Sequence, residues 1–487
     1  MHMEASKKYR VIVKTNLTMF VQTQKKRCNS ISVYFAILLF ILIFPHAVKA
    51  QLYNKELANK YNLSIPPPSE KLDLAPEWLQ KADMFTWGSD MWKDYKFILK
   101  DTLVTRIVRR REQYKSLKVT EQYPVETIKS FDGSLVKGVA LISHVPHSKK
   151  VFEEAHKQGF KVIPYLHFTD IHAYYADQDV FLFEHPEILM VDKDGKWVHI
   201  PMDGSERLFR FLTCANSPSY WKLSLAYVKK MMDWGADGIF IDNVGKRASC
   251  FATKLPPVRN PEFPPYVHEH LFPDTTENYA WDRMLQTIRT LVKSYGEEKI
   301  VVLNSGIGTS LQKNGDCCMW ESFIYSWAWE GRHHTWEDVK KRARDNAWYL
   351  NAGRRITALS FLDSSRKEVK EDAFWAFSAA RLVDFVWWAT LNGTGAEVLY
   401  RAHMGKGMEP LKETRGIAYR IFENGIIVLN DSVEDRNVEL ILPAGFRAKH
   451  LVNLFNNQII QVNNRTVKVA VAGKTARVYL MPEKLMQ

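Results

Sequence analysis

The chain has 487 residues, 46% of them hydrophobic, 25% charged and 13% aromatic. At ~100–200 residues per domain that suits two or three domains, and it excludes a disordered chain, a collagen-like fibre or a small disulfide scaffold. The formal charge of +13 is concentrated in residues 1–50, where eight Lys/Arg face Glu4 alone, and the thin basic surplus beyond them is no nucleic-acid footprint.

In chain order, Lys25-Lys26-Arg27 precedes an apolar run from Ile31 to Phe44, followed by Pro45 and Ala47-Val48-Lys49-Ala50. Basic, apolar and small residues in that order make a secretory signal, and the run falls short of the ~20 residues of a membrane span. Residues 1–50 are therefore expected to direct export and be removed, leaving a secreted or periplasmic protein with no stable membrane insertion. An uncleaved anchor is the alternative. Residues 51–80, with Pro66-Pro67-Pro68, read as a leading arm wrapped on the surface.

From 81 to 404 a short β-rich run, a turn and a helix of 3.6 period keep alternating. The runs are Asp83–Trp87, Gly138–Ser143, Lys161–Phe168, Gly238–Asn243, Lys299–Ser305, Cys317–Ser322, Arg355–Leu362 and Asp384–Ala389. Helices are expected over Lys149–Gln158, Tyr220–Trp234, Tyr279–Tyr295, Trp336–Asn351 and Glu368–Leu382. Eight such units suit an α/β fold of the (β/α)8 TIM-barrel type, with a doubly wound sheet as competitor. Two insertions, Thr169–Ser219 and Val244–Asn278, follow the third and fourth runs, on the side where a barrel keeps its active site. Residues 405–487 change texture to short alternating strands between Asn, Gly, Asp and Pro turns, which predicts an antiparallel β-sandwich.

Cysteines carry little weight in this reading. Beyond Cys28 there are Cys214, Cys250, Cys317 and Cys318, and no Cys/His spacing suggests a metal. Neither a metal nor another cofactor is expected. A single Cys214–Cys250 bridge is the one disulfide left open.

The sharpest signal is Trp234-Gly235-Ala236-Asp237-Gly238-Ile239-Phe240-Ile241-Asp242-Asn243. A helix stops at Gly235, an apolar strand follows, and Asp242 ends it on the active-site face. A carboxylate is costly to bury there without a task or a partner. Asp237 begins the strand at the opposite end and reads as structural. Glu321 ends the sixth run, so two carboxylates on one face can flank one bond as nucleophile and general acid/base. A salt bridge to Arg354 or Arg355 is the structural alternative for Glu321, and Glu330 is its rival for the chemistry. Polar residues end other runs: His144, His167, Asp170, Asn243, Asn304 and Asp363. With Tyr165, Trp320, Tyr325 and Trp327 as stacking surfaces, they are expected to line a pocket for a hydroxyl-rich ligand.

The segment GADGIFIDN followed by an acid on strand six resembles exported glycoside hydrolases built on a (β/α)8 barrel. It is similar in this to the dextranase and cycloisomaltooligosaccharide glucanotransferase family, to α-galactosidase-like and α-glucosidase-like families, and to polygalactosaminidase-like barrels. That resemblance implies a carbohydrate substrate, Asp242 as nucleophile, Glu321 as acid/base, and hydrolysis or transglycosylation through a glycosyl-enzyme. A glycan-binding protein without turnover is the alternative. A carbohydrate esterase or deacetylase ranks last, since no G-x-S-x-G elbow occurs.

Overall fold

The computed structural model describes residues 53–87, 140–143, 149–157, 159–172, 185–202, 205–245, 249–252, 268–272, 277–325 and 334–485. The segment expected to direct export, His144 and Trp327 lie outside these residues. Eight parallel strands form the central ring: β1 (Met84–Trp87), β2 (Ala140–Ser143), β3 (Lys161–His167), β7 (Gly238–Asp242), β8 (Ile300–Asn304), β9 (Cys317–Trp320), β10 (Arg355–Leu359) and β11 (Val386–Trp388). Strand β1 pairs with both β2 and β11, and that double pairing closes the barrel. Each expected run became one barrel strand, trimmed by a residue or more at its ends.

The helices follow the expected periods. They are α1 (Lys55–Lys60), α2 (Glu77–Gln80), α3 (Lys149–Lys157), α4 (Pro218–Asp233), α5 (Glu277–Lys293), α6 (Trp336–Asp345), α7 (Ala347–Leu350), α8 (Val369–Leu382) and α9 (Pro482–Leu485). The single helix expected over Trp336–Asn351 is divided at Asn346, whose φ of −113° leaves the helical range. Ser217 caps α4 by accepting from Tyr220 N–H, and Pro218 stands where a missing N–H costs nothing.

Inside the ring, Phe85, Ile163, Phe240, Ile300, Val302, Cys317, Met319, Leu359, Val386 and Trp388 form one buried cluster. Period-two alternation sends these residues inward and their neighbours out toward the helices. Burying each large one stabilises the ring by ~1.5–3 kcal/mol. Ala75 and Leu79 from the leading arm join this cluster, so the arm is more than a surface strap. Its last turn plugs the N-terminal end of the barrel. Upstream, Gln286 donates to Pro67 O at 3.1 Å and Arg289 pairs with Asp73 at 3.2 Å, holding the arm along α5.

Among the described residues of the first insertion is a small antiparallel sheet that sequence reading missed: β4 (Asp170–His172), β5 (His199–Met202) and β6 (Ser205–Leu212). Past the barrel come β12 (Lys412–Thr414), β13 (Ile417–Phe422), β14 (Gly425–Asn430), β15 (Arg436–Ile441), β16 (His450–Asn453), β17 (Ile459–Gln461), β18 (Thr466–Val471) and β19 (Ala476–Leu480). They make a six-stranded sheet, β12-β13-β14-β19-β16-β17, and a two-stranded one, β15-β18. The two share a second apolar core that includes Ile421, Val428, Leu440, Leu451, Val469 and Tyr479. Helix α8 packs between barrel and sandwich, where Phe374 meets Phe455 with ring centroids 5.1 Å apart. Among the described residues, no helix is long and apolar enough to cross a membrane.

Candidate active site at the barrel mouth

The segment before β7 owes most of its pattern to folding. Gly235 closes α4 with a φ of +95°, a conformation that costs other residues a steric penalty. At Gly238 an added Cβ would lie 2.3 Å from the Ile300 carbonyl oxygen, so β7 and β8 approach only because it has no side chain. Asp237 takes the Val162 N–H at 2.9 Å and faces His156 at 2.8 Å, Lys161 at 3.2 Å and Lys299 at 3.4 Å. Burial opposes its charge, but these partners outweigh burial and hold its carboxyl down at about 2. Asp237 is structural.

Asp242 differs. It shares the inward face of β7 with Phe240 and is 8% exposed. Tyr165, on β3, donates its hydroxyl to Asp242 Oδ2. Burial and then the Asp242 charge raise the Tyr165 hydroxyl well above its ordinary pKa, which keeps it a donor. Asn304, at the end of β8, donates from Nδ2 to Asp242 Oδ1 at 2.5 Å. The same nitrogen lies 3.2 Å from Glu321 Oε2. One amide group touches both acids. With 2.5 and 3.2 Å laid end to end, those two carboxylate oxygens are no more than about 5.7 Å apart.

The backbone reinforces this arrangement. Asn243, Ser305 and Ser322 directly follow Asp242, Asn304 and Glu321, and they have φ values of 54°, 64° and 60°. Left-handed backbone at a residue other than glycine costs on the order of 1 kcal/mol and clusters where a site over-determines it. Three adjacent strands therefore end in the same sharp turn just past a polar group. That repetition is a feature of the mouth.

The other expected residues divide between the mouth and positions away from it. Asp170 is 3% exposed, taking Thr169 Oγ1 at 3.1 Å and, weakly, Asn243 Nδ2 at 3.5 Å. His167 pairs in register with Asp242 across β3 and β7, which places its backbone at the mouth. Trp320 is no stacking surface there. It alternates with inward Met319, so it points out and packs against Phe323, Phe385 and His334, with the Arg342 guanidinium 4.6 Å from its ring centroid. Tyr325 is also redirected: its hydroxyl donates to Asp372 on α8 and Arg366 lies over its ring at 4.5 Å. Asp363 is exposed and caps a turn, accepting from Ser365 N at 2.9 Å and Ser365 Oγ at 2.7 Å, bonds that lower its pKa. Arg354 and Arg355 spend their guanidinium groups on carbonyls of Asp73, Lys313, Gly315 and Gln80.

One further expectation needs correction. Cys214 and Cys250 are both free, so they form no disulfide. The absence of any Cys/His metal spacing is a feature of the sequence alone, because folding brings Cys214, Cys250, His268 and His270 together, all buried. These ligand-type atoms come from separate segments, which no short motif reports. The pair His268-x-His270 beside two buried cysteines was the available signal.

A cavity of about 270 Å³ lined by Thr309, Gln312, Arg342, Asp345 and Trp348 includes none of the mouth acids in its lining. No protein-family profile matches the sequence, and no curated protein does. Among solved structures the chain is similar to a debranching enzyme of Nostoc punctiforme, at 11% identity, covering 84% of this chain and 100% of that one with a TM-score of 0.46. It is also similar to an α-amylase of Geobacillus thermoleovorans complexed with acarbose, at 11% identity, 82% and 98% coverage and a TM-score of 0.41. A trehalose-6-phosphate hydrolase of Bacillus licheniformis is similar at 9% identity, 83% and 99% coverage and a TM-score of 0.46.

Proposed function

We propose that this chain is a retaining glycoside hydrolase that cleaves a poly- or oligosaccharide, with Asp242 as nucleophile and Glu321 as general acid/base. One observation carries the reading: the Asn304 amide nitrogen lies 2.5 Å from Asp242 Oδ1 and 3.2 Å from Glu321 Oε2. Carboxyls ~5–5.5 Å apart suit a covalent intermediate, whereas an inverting pair needs ~6.5–9.5 Å to admit water between acid and sugar. The shared amide keeps one oxygen of each acid within about 5.7 Å of the other, which supports a retaining pair.

The steps follow from these positions. Asp242 attacks the anomeric carbon as the glycosidic C–O bond breaks, and Glu321 gives its proton to the departing oxygen. Water then enters, and as Glu321 takes its proton the water oxygen bonds to the anomeric carbon while the sugar–Asp242 ester bond breaks, releasing the product with its configuration kept. Tyr165 and Asn304 hold both Asp242 oxygens in place throughout, so the nucleophile needs little reorganisation. Export through the N-terminal segment belongs to the same reading, since extracellular glycans are the substrates such an enzyme would meet. N-terminal sequencing of secreted material should begin near Gln51.

A panel of α- and β-linked oligosaccharides, with products followed by proton NMR before mutarotation, tests the chemistry. Release of sugar with retained anomeric configuration is expected. A parent protein that binds glycans but never cleaves one would replace the enzyme with a glycan-binding protein.

A further inference from the structure

We propose that Cys214, Cys250, His268 and His270 bind one zinc ion as a structural centre that staples together the two insertions flanking the barrel mouth. The ligand-type atoms of all four lie within 4.8 Å of one another. His270 Nε2 is 3.5 Å from Cys214 Sγ, His268 Nε2 is 3.6 Å from Cys250 Sγ, and the two Nε2 atoms are 3.3 Å apart.

These spacings match the edges of a tetrahedron around zinc. Bonds of ~2.3 Å to sulfur and ~2.0–2.1 Å to nitrogen, at tetrahedral angles, put sulfur ~3.6 Å from nitrogen and the two nitrogens ~3.3 Å apart. Two soft sulfurs and two imidazoles in that geometry select zinc over calcium or magnesium, which prefer oxygen. Four protein ligands fill the coordination sphere and leave no open position for substrate or water. Such a closed set is structural.

Cys250 has a donor suited to a metal-bound thiolate, while Glu277 Oε1 lies 3.3 Å from Cys214 Sγ. Val191 N–H points at Cys250 Sγ at 3.4 Å, a donor of the kind that stabilises charged sulfur. All four residues are at most 8% exposed. The ligands also come from segments that already converge: Cys214 N–H donates to Ile188 O at 2.7 Å, and Asn216 holds Phe272 through side-chain bonds of 2.8 and 2.9 Å. Cys214 lies between β6 and the Ser217 cap of α4, while Cys250 lies in the chain that leaves β7 after Asp242. A metal here would tie the exit of the nucleophile strand to the small sheet of the first insertion.

The test uses the full chain, expressed with added zinc and purified without chelators. Elemental analysis should find about one zinc per chain, and a Cys214→Ser/Cys250→Ser variant should lose it. Zinc far below one equivalent, copper or iron in its place, or a Cys214–Cys250 disulfide found by mass spectrometry would each overturn the proposal. Because the serine variant could fail to fold, the parent is also stripped and reloaded with cobalt(II). Tetrahedral visible bands with thiolate-to-cobalt charge transfer in the near ultraviolet are expected, along with a metal-dependent rise in Tm. Octahedral cobalt spectra, or no change in Tm, count against the site. Cys250→His keeps four ligands and should retain zinc while losing about half of the cobalt charge-transfer intensity. Glycan hydrolysis enters none of these readouts, so the metal and the catalytic reading fail separately.

Discussion

The two ends of β7 carry an aspartate each, and their surroundings are opposite in kind. Asp237, at the N-terminal end, faces His156, Lys161 and Lys299. Asp316, entering β9 at the same end, is fully buried against Arg289 at 3.0 Å and Lys293 at 3.3 Å; burial works against its charge, but these cations lower its pKa. At the mouth, Asp242 is held by a neutral hydroxyl and a neutral amide, and the other acid on that amide is Glu321. Cations at one end neutralise acids and lock the barrel floor. At the other end a hydroxyl and an amide orient the Asp242 carboxylate, the group that attacks an electron-poor carbon in the proposed mechanism.

The largest break in this comparison should come from Asp242→Asn, which keeps shape but removes the attacking charge. Turnover should drop by ~10³–10⁵-fold with Tm nearly unchanged and glycan affinity kept, because the lost interaction belongs to the transition state. Initial-rate kinetics and calorimetry on one preparation would decide it; unchanged hydrolysis would remove Asp242 from the chemistry.

Glu321→Gln should follow at ~10²–10⁴-fold on natural glycosides, and much less on aryl glycosides whose leaving group needs no proton. Azide added to Glu321→Ala should restore turnover by replacing activated water, with a glycosyl azide as product. Equal losses on both substrate types would argue against an acid/base role.

Asn304→Ala sharpens the comparison, since it removes a donor that reaches both acids. A loss of ~10²-fold in kcat with little change in KM is expected. Tyr165→Phe should cost less, ~10-fold, because Asn304 still holds Asp242. A change confined to Tm would make either residue merely a packing element.

At the opposite end, Asp237→Asn should leave kcat within ~2-fold and lower stability by about 2 kcal/mol near neutral pH. The sign follows from a carboxyl held at about 2 in the folded state against an ordinary 3.8. Its contribution is complete above the unfolded value and disappears as pH falls through the folded one. Urea unfolding of parent and variant should therefore differ at about pH 6 and converge near about pH 2. A gap that persisted at low pH would assign the effect to lost packing.

How much of this was legible beforehand depends on how local each signal is. The barrel strands show in the sequence because strand period, helix period and stop residues such as Gly235 act within a few residues. Asp242 at a strand end was visible for the same reason. The inward direction of Glu321 and the outward direction of Trp320 were both readable from alternation with Met319, and treating Trp320 as a pocket wall overlooked that alternation. The small sheet of the first insertion was missed because its short strands sit in a long segment with weak periodicity.

By itself, then, the sequence determined an eight-unit α/β chain with a β-rich end, and the placing of acids at strand ends, because backbone periodicity and steric limits are written residue by residue. Tertiary structure alone decided the company those acids keep. That Asn304 reaches both Asp242 and Glu321 depends on the stagger of β7, β8 and β9. That Ala75 and Leu79 plug the floor depends on the arm's path under the barrel. The meeting of Cys214 and Cys250 with His268 and His270 depends on two insertions folding against each other. Distances between residues far apart in the chain are set by packing, and local patterns carry no record of them.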